Sequence, residues 1–183
     1  MDFKLVLTLV SRAFKKSRVR YAVIGGVAVS LRSTARATQD LDFLVHGDDL
    51  ANADARLRAL GYERDLLTRN FSRYEGPVER LGLIDLQHGI HGYALRMLRR
   101  ARRVRLPRTR ITVPVAAPED LIGLKAQAIA NNPSRRHQDM ADILSLVRTH
   151  RRRLDWNRIL GYFEKLQMRP AGLRIKSSVE KER

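Results

Sequence analysis

The sequence predicts an α+β protein whose front half mixes strands with helices and whose back half is helical. Two observations lead to this prediction. Short β-prone runs alternate with helical spacing of apolar residues up to about Val115, and only helical spacing follows. Pro118-Glu119-Asp120 is typical of a first helical turn, because proline is tolerated there and acids suit the helix dipole. We therefore expect a boundary near Ala117.

Helices in the front half are predicted from apolar spacing and from Gly61, which stands where a helix C-terminus favours glycine. The predicted helices cover residues 3–16, 27–31 and 49–60, and another begins near residue 93. Strands are predicted at residues 21–24, 41–45, 81–86 and 111–115, with one more inside 62–74.

The back half is predicted to contain three helices, over residues 118–130, 136–150 and 156–166. The charged segment from Arg169 is predicted to be a disordered tail. The resulting division has a core at residues 1–117, a helical C-terminal portion at 118–168 and a tail at 169–183.

The composition indicates a reducing compartment and a polyanionic partner. The chain has no cysteine, and no apolar run is long enough to span a bilayer, so we expect a cytoplasmic protein with no membrane partner. The formal net charge of +17 favours nucleic acid, a nucleotide or an acidic protein as partner. The alternative is that the arginines only reflect a GC-rich source genome.

Asp40 and Asp42 are the most informative residues of the chain. Two carboxylates two positions apart on a strand point to the same face, and the apolar neighbours indicate that this strand is partly buried. Like charges there are costly unless a cation relieves them, and Mg²⁺ prefers carboxylate and phosphate oxygens. The turn at Gly25-Gly26 lets the backbone approach phosphates. Together these features predict metal-assisted nucleotide chemistry.

Asp85 is a third candidate carboxylate, because it stands alone in the apolar run Leu83–Leu86. Three carboxylates on adjacent strands suit a pair of metal ions about 3.5–4 Å apart. The alternative for Asp85 is a salt bridge to one of the many arginines. Glu75 and Glu79 are rivals for the third position.

The order of these features resembles the nucleotidyltransferase superfamily of the DNA polymerase β type. That family's signature is a hydrophobic strand, Gly-Gly or Gly-Ser, a helix, an Asp-x-Asp or Asp-x-Glu strand, and a third acid on a later strand. The stretch from Gly25 to Asp42 looks closest to the AbiEii-like branch, which includes toxins of bacterial toxin–antitoxin systems. Residues 118–125 and 136–143 are similar to helical motifs of the same branch.

The resemblance implies a small mixed β-sheet with flanking helices and assigns a role to each matching residue. Gly25 and Gly26 would contact nucleotide phosphates, and Lys125 would reach the triphosphate. Asp40, Asp42 and Asp85 would bind Mg²⁺ or Mn²⁺, with Asp85 also a candidate base for the acceptor hydroxyl. Arg36 and Asp139 match the branch pattern, although Asp139 also has the spacing of an ordinary helix ion pair with Arg135.

The predicted function is metal-dependent transfer of a nucleoside monophosphate from an NTP to an acceptor hydroxyl, with release of pyrophosphate. The basic charge favours RNA or tRNA as the acceptor, and the arginine-rich stretch from Arg99 to Arg110 is the candidate contact. That stretch is equally consistent with a solvated basic hairpin. A toxin role with an acidic antitoxin partner fits the resemblance. The alternatives are an antibiotic-type nucleotidyltransferase and a non-catalytic basic protein that binds RNA or a partner.

Overall fold

A computed structural model describes residues 1–35, 37–89 and 92–181 and confirms the α+β fold class. Its helices are α1 (Phe3–Lys16), α2 (Gly25–Arg32), α3 (Leu50–Ala59), α4 (Tyr93–Arg100), α5 (Pro118–Asn131), α6 (Arg136–His150), α7 (Trp156–Lys165) and α8 (Arg169–Lys181). Its strands are β1 (Tyr21–Val23), β2 (Asp40–His46), β3 (Glu63–Leu67), β4 (Phe71–Glu75), β5 (Leu83–Gly89), β6 (Arg102–Arg105) and β7 (Thr112–Val115). None of these helices combines the length and apolar character that a bilayer span requires.

The strands form one mixed sheet in the order β3-β4-β5-β2-β1-β7-β6. The central strand β2 runs parallel to β5 and antiparallel to β1, and β1 runs parallel to β7. The remaining neighbours pair antiparallel. This mixed arrangement places β2 and β5 side by side in the middle of the sheet.

The two faces of β2 differ in chemistry. Leu41, Phe43 and Val45 are fully buried, and the Phe43 ring meets Phe14 of α1 edge to face at 5.7 Å. Because side chains alternate along a strand, Asp40 and Asp42 lie on the opposite face. The apolar face therefore builds the core under α1, and the other face carries the carboxylates.

Both edges of the sheet are polar, and both were incompletely predicted. Residues 62–74 hold two strands rather than one, since β3 and β4 form a hairpin in which every residue of β3 is exposed. The strand β6 pairs with β7 as the basic hairpin given above as an alternative. Charged edge strands obstruct edge-to-edge aggregation, which explains why they lack the apolar alternation that identifies a strand.

The chain divides into two compact units at Ala116–Ala117. The first holds α1, the sheet, α3, α4 and almost all of α2, and the second holds α5–α8 together with Arg32–Ala35. In the second unit, the segment that the sequence predicts to be a disordered tail is helical instead. Residues Arg169–Lys181 form α8, which buries Ile175 and Val179 and so has an apolar face to pack.

Candidate metal centre

Three carboxylates meet on one face of the central sheet. Asp40 and Asp42 project from β2, and Asp85 projects from β5 with Asp42 as its direct register partner. One carboxylate oxygen from each residue lies within 4.8 Å of the other two. Asp85 is buried, whereas Asp40 and Asp42 are partly exposed. The structure thus brings together the three acids that the sequence singles out, and their roles as metal ligands stay predictions.

Gly25 presses the β1–α2 turn against this cluster. Its φ is +65°, in the left-handed region, and a Cβ built there would lie 1.8 Å from Oδ2 of Asp42. The neighbouring Ile24 N–H donates to the Asp42 carbonyl oxygen at 3.0 Å. Gly26 is buried as the second residue of α2. A side chain at position 25 would occupy the space of the Asp42 carboxylate, so the sequence needs glycine at this point.

Arg73 is a residue of this site that the sequence did not single out, although a salt bridge from Asp85 to one of the arginines was the stated alternative for Asp85, and the structure shows it. It lies on β4 as the register partner of Asp85, and its Nε and one terminal nitrogen donate to the two Asp85 oxygens at 2.8 and 2.7 Å. These hydrogen bonds raise the pKa of the Arg73 guanidinium above its ordinary value, and the charges of Asp85, Asp40 and Asp65 raise it further. The fork holds the buried carboxylate in one orientation.

The remaining candidates near the cluster have smaller roles. The Thr38 hydroxyl donates to Oδ1 of Asp40 at 3.0 Å. Arg36 lies outside the described residues. Glu75 ends β4 opposite Leu83, and both it and Glu79 are exposed. Among the described acids, Asp85 is the one that joins the pair on β2.

The donor set fits a divalent cation. Three carboxylate oxygens in close array are hard ligands of the kind that Mg²⁺ and Mn²⁺ prefer. Three like charges at this spacing repel one another, and Arg73 neutralises part of that charge through its ion pair with Asp85. A cation held by Asp40, Asp42 and Asp85 would lower the repulsion among all three. The identity of the metal stays a prediction.

Lys125 and Asp139 lie in the second unit and form a buried ion cluster there. The Lys125 ammonium on α5 lies 2.7 Å from Oδ1 of Asp139 and 2.8 Å from Oδ2 of Asp142, both on α6. Arg135 donates to the other Asp139 oxygen at 3.0 Å, the ordinary helix pair expected from the spacing. Contact between Lys125 and a triphosphate stays a prediction.

Comparison with known proteins supports the superfamily. Residues 5–175 match the profile of a family described as uncharacterised nucleotidyltransferase. Among curated proteins, no sequence matches this chain. The AbiEii-like branch stays a prediction.

Solved structures share the fold. The antibiotic-resistance factor ANT(2'')-Ia has a TM-score of 0.66 and 15% identity, with 95% of this chain and 97% of that chain covered. An antigenic nucleotidyltransferase-like protein from Paracoccidioides brasiliensis has a TM-score of 0.59 and 19% identity over 96% of this chain and 92% of its own. The lincosamide antibiotic adenylyltransferase LnuA has a TM-score of 0.54 and 13% identity, with 78% and 95% covered.

Proposed function

This chain belongs to the uncharacterised nucleotidyltransferase family, and on that premise we propose that it transfers a nucleoside monophosphate from an NTP to an acceptor hydroxyl. Family membership supports a transferase. The single observation that carries the metal-dependent chemistry is the convergence of Asp40, Asp42 and Asp85 beside the Gly25 turn. Carboxylate oxygens that suit a hard cation thus lie beside a backbone turn that phosphates can approach.

Each part of the site has a defined task in this proposal. Asp40, Asp42 and Asp85 would hold the divalent ion, which when bound neutralises charge on the phosphates and on the pyrophosphate leaving group. The backbone at Gly25 and Gly26, with the start of α2, would receive the triphosphate. Arg73 would keep Asp85 oriented towards Asp42.

The reaction is an in-line displacement at the α-phosphorus. The acceptor oxygen forms a bond to the α-phosphorus. At the same time the bond between the α-phosphorus and the oxygen that bridges it to the β-phosphorus breaks, which releases pyrophosphate. The hydroxyl proton must leave as the new bond forms, and Asp85 is the candidate acceptor for it. Lys125 remains a proposed contact of the triphosphate, in addition to its ion pairs with Asp139 and Asp142.

Removal of the paired carboxylates tests the proposal. Asp40→Asn and Asp42→Asn should each abolish transfer of label from an α-labelled NTP in the presence of Mg²⁺, because each removes a charged ligand at nearly constant size. Asp48→Asn is the matched control, since Asp48 is exposed and pairs only with Arg20 and His46 in the described structure. Calorimetry of NTP with and without Mg²⁺ gives a second readout. Equal transfer by the wild type and both site variants would refute the assigned roles.

The acceptor is proposed to be RNA, with tRNA as one candidate, because the chain carries a net charge of +17. An antibiotic acceptor is the alternative, since ANT(2'')-Ia and LnuA act on antibiotics and share the fold. Competition between tRNA and an aminoglycoside for the label separates the two. A toxin role, with an acidic antitoxin as partner, rests on the AbiEii-like resemblance and belongs to the same proposal.

A further inference from the structure

The first unit contains a strongly basic cavity of about 810 Å³. Its walls come from α1 and the loop after it, from β1, from α4, and from the β6–β7 hairpin. This volume lies within the range of small-ligand sites. Besides Arg20, six exposed cations line it: Arg12, Lys15, Arg18, Arg99, Arg103 and Arg110. No acidic residue does so among the described part of the chain.

These cations are not neutralised within the described structure. None of the six has a carboxylate within ion-pair distance among the described residues, although Arg103 donates to the Thr112 hydroxyl at 2.9 Å. The nearby Arg20, which also lines the cavity, differs in that it binds Asp49 at 2.7 Å. Six like charges around one cavity repel one another, and a bound polyanion would remove that repulsion.

The backbone at Arg18 favours the same conclusion. Arg18 has a φ of 55°, and it follows α1 at the position where the Val19 N–H bonds to Phe14 and the Arg18 N–H bonds to Lys15. This is the pattern of a Schellman motif, whose left-handed residue is usually glycine. Arginine in that conformation is strained, and strain of this kind is concentrated at functional positions. An arginine at this position adds one more cation to the cavity wall.

The cavity is separate from the metal centre. Tyr21 lines it, and the Tyr21 ring packs against Phe14 of α1 at 5.2 Å and against Phe43 at 5.8 Å. Phe43 lies on the face of β2 opposite Asp42. The basic cavity and the carboxylate cluster therefore lie on opposite faces of the sheet.

The chemistry of the lining favours nucleic acid over an acidic protein. Protein interfaces depend on buried apolar anchors. The lining includes Leu95, Leu98 and Ile111, but each is only partly exposed, and the most exposed large apolar residues of the described chain lie outside the cavity. Five of the six cations are arginines, whose planar fork matches the geometry of a phosphate group. A phosphodiester chain offers the repeated charge that such a lining can bind without reading sequence.

We propose that this cavity binds the phosphodiester backbone of a nucleic acid strand. A role of the cavity in holding the acceptor rests on the proposed function, whereas the binding of nucleic acid to the cavity does not. A strand anchored there would raise the effective concentration of its free end at the opposite face of the sheet. In this arrangement, the acceptor strand is anchored at the basic cavity, and the transfer reaction takes place at the carboxylate cluster.

The test compares two double variants that remove the same charge from the same elements. Lys15→Gln with Arg103→Gln changes the cavity wall, whereas Lys16→Gln with Arg102→Gln changes neighbouring exposed cations outside it. Glutamine can still donate to Thr112. Fluorescence anisotropy with a labelled single-stranded RNA should show about a tenfold or greater loss of affinity for the cavity pair near 0.1 M salt, and a shallower salt slope by about one per cation removed. The control pair should lose less than about threefold.

Further measurements identify the ligand and distinguish this proposal from the proposed function. Single-stranded DNA should compete as RNA does if the backbone alone is read, and polyglutamate should compete poorly at equal charge. Asp40→Asn with Asp42→Asn should retain RNA binding, because those residues lie on the other face. Equal losses in the two double variants, or polyglutamate as the better competitor, would overturn the inference. Absence of transfer by the wild type, together with cavity-dependent RNA binding, would count against the proposed function only.

Discussion

Arg73 forms a bidentate ion pair with one member of the carboxylate cluster. Its guanidinium covers both oxygens of Asp85, whose side chain is 5% exposed. A buried carboxylate beside two others is costly to keep charged, and a bidentate guanidinium lowers that cost while it fixes the orientation of the group. Arg73 is therefore a positioning residue for the proposed third ligand.

Substitution of Arg73 should reduce transfer and increase the benefit of the metal to stability. We expect Arg73→Gln to lower the transfer rate about 10–100-fold, the usual effect of losing a partner that orients a metal ligand. The metal-free variant should melt at a lower temperature, because Asp85 loses its cation, and Mg²⁺ should raise its melting temperature more than that of the wild type. Arg73→Lys restores the charge without the fork and should recover stability better than rate.

Arg64→Gln is the control for that experiment. Arg64 lies on the neighbouring strand β3, and its guanidinium pairs with Asp54 of α3 at 3.0 Å, away from the cluster. The same substitution there should leave the metal response unchanged. If Arg73→Gln and Arg64→Gln respond alike to Mg²⁺, then Arg73 has no special relation to the site.

The difference between Asp85 and Arg73 shows what the sequence alone can predict. Asp40 and Asp42 share a face by the period of a strand, and Asp85 is conspicuous as an acid in an apolar run, so local pattern is enough. Arg73 is one of many arginines, and its role depends on the register of β4 against β5. That register follows from the geometry of the β3–β4 hairpin and the loop after β4, which no local pattern encodes.

Among the secondary-structure elements, those with one apolar face were predicted well and those at the edges were not. The helix α1 and the strand β2 carry regular apolar spacing, and each was predicted within a residue of its observed ends. The strands β3 and β6 are dominated by charged residues. They form strands because they pair with a neighbouring strand, and not because they carry an alternating apolar pattern of their own. The helix α8 was missed for a similar reason, since its few apolar residues are diluted by charge.

The contact between α5 and α6 depends on a buried cation. The Lys125 side chain is 8% exposed and lies between Asp139 and Asp142, whose side chains are 0% and 3% exposed. Removal of one partner from a buried ion cluster leaves charge without compensation, which costs far more than the loss of a surface pair. Lys125 therefore has a structural task within the second unit.

We expect Lys125→Met to destabilise the protein by about 3–5 kcal/mol. Asp142 and one oxygen of Asp139 would lose the ammonium in the interior, while Arg135 stays on the other Asp139 oxygen. Urea unfolding measures the change. Lys176→Met is the control: Lys176 pairs with Glu180 at 3.9 Å, with side chains 36% and 58% exposed, and its loss should cost under about 1 kcal/mol. Asp142→Asn in the Lys125→Met background should restore part of the stability.

The same experiment separates the structural task of Lys125 from its proposed contact with the triphosphate. A variant with lower transfer but wild-type unfolding would indicate that the lysine serves the triphosphate and not the α5–α6 contact. Lower stability with a normal transfer rate, measured well below the unfolding transition, would indicate the reverse. If both properties change, rescue by Asp142→Asn should restore stability while transfer stays low.

At the level of the whole molecule, the excess of positive charge acts against folding. The chain has 36 lysines and arginines against 19 acids, and the basic cavity concentrates part of this excess in one place. Like charges repel more in the compact state than in the unfolded chain, so the net charge lowers stability at low ionic strength. Surface ion pairs such as Arg58–Asp54 offset this only slightly.

Added salt should therefore stabilise the free protein. Between about 0.01 and 0.15 M ionic strength the Debye length falls from about 30 Å to about 8 Å, which screens repulsion across the whole surface. We expect the melting temperature to rise over this range in sodium chloride, and by a similar amount in sodium acetate at equal ionic strength, because screening does not depend on which anion is present. A rise with only one anion would indicate site binding, and a fall with both would show that the ion pairs outweigh the net charge. The same salt should weaken the proposed binding to RNA. Opposite responses of stability and affinity would therefore indicate that both depend on the excess of positive charge.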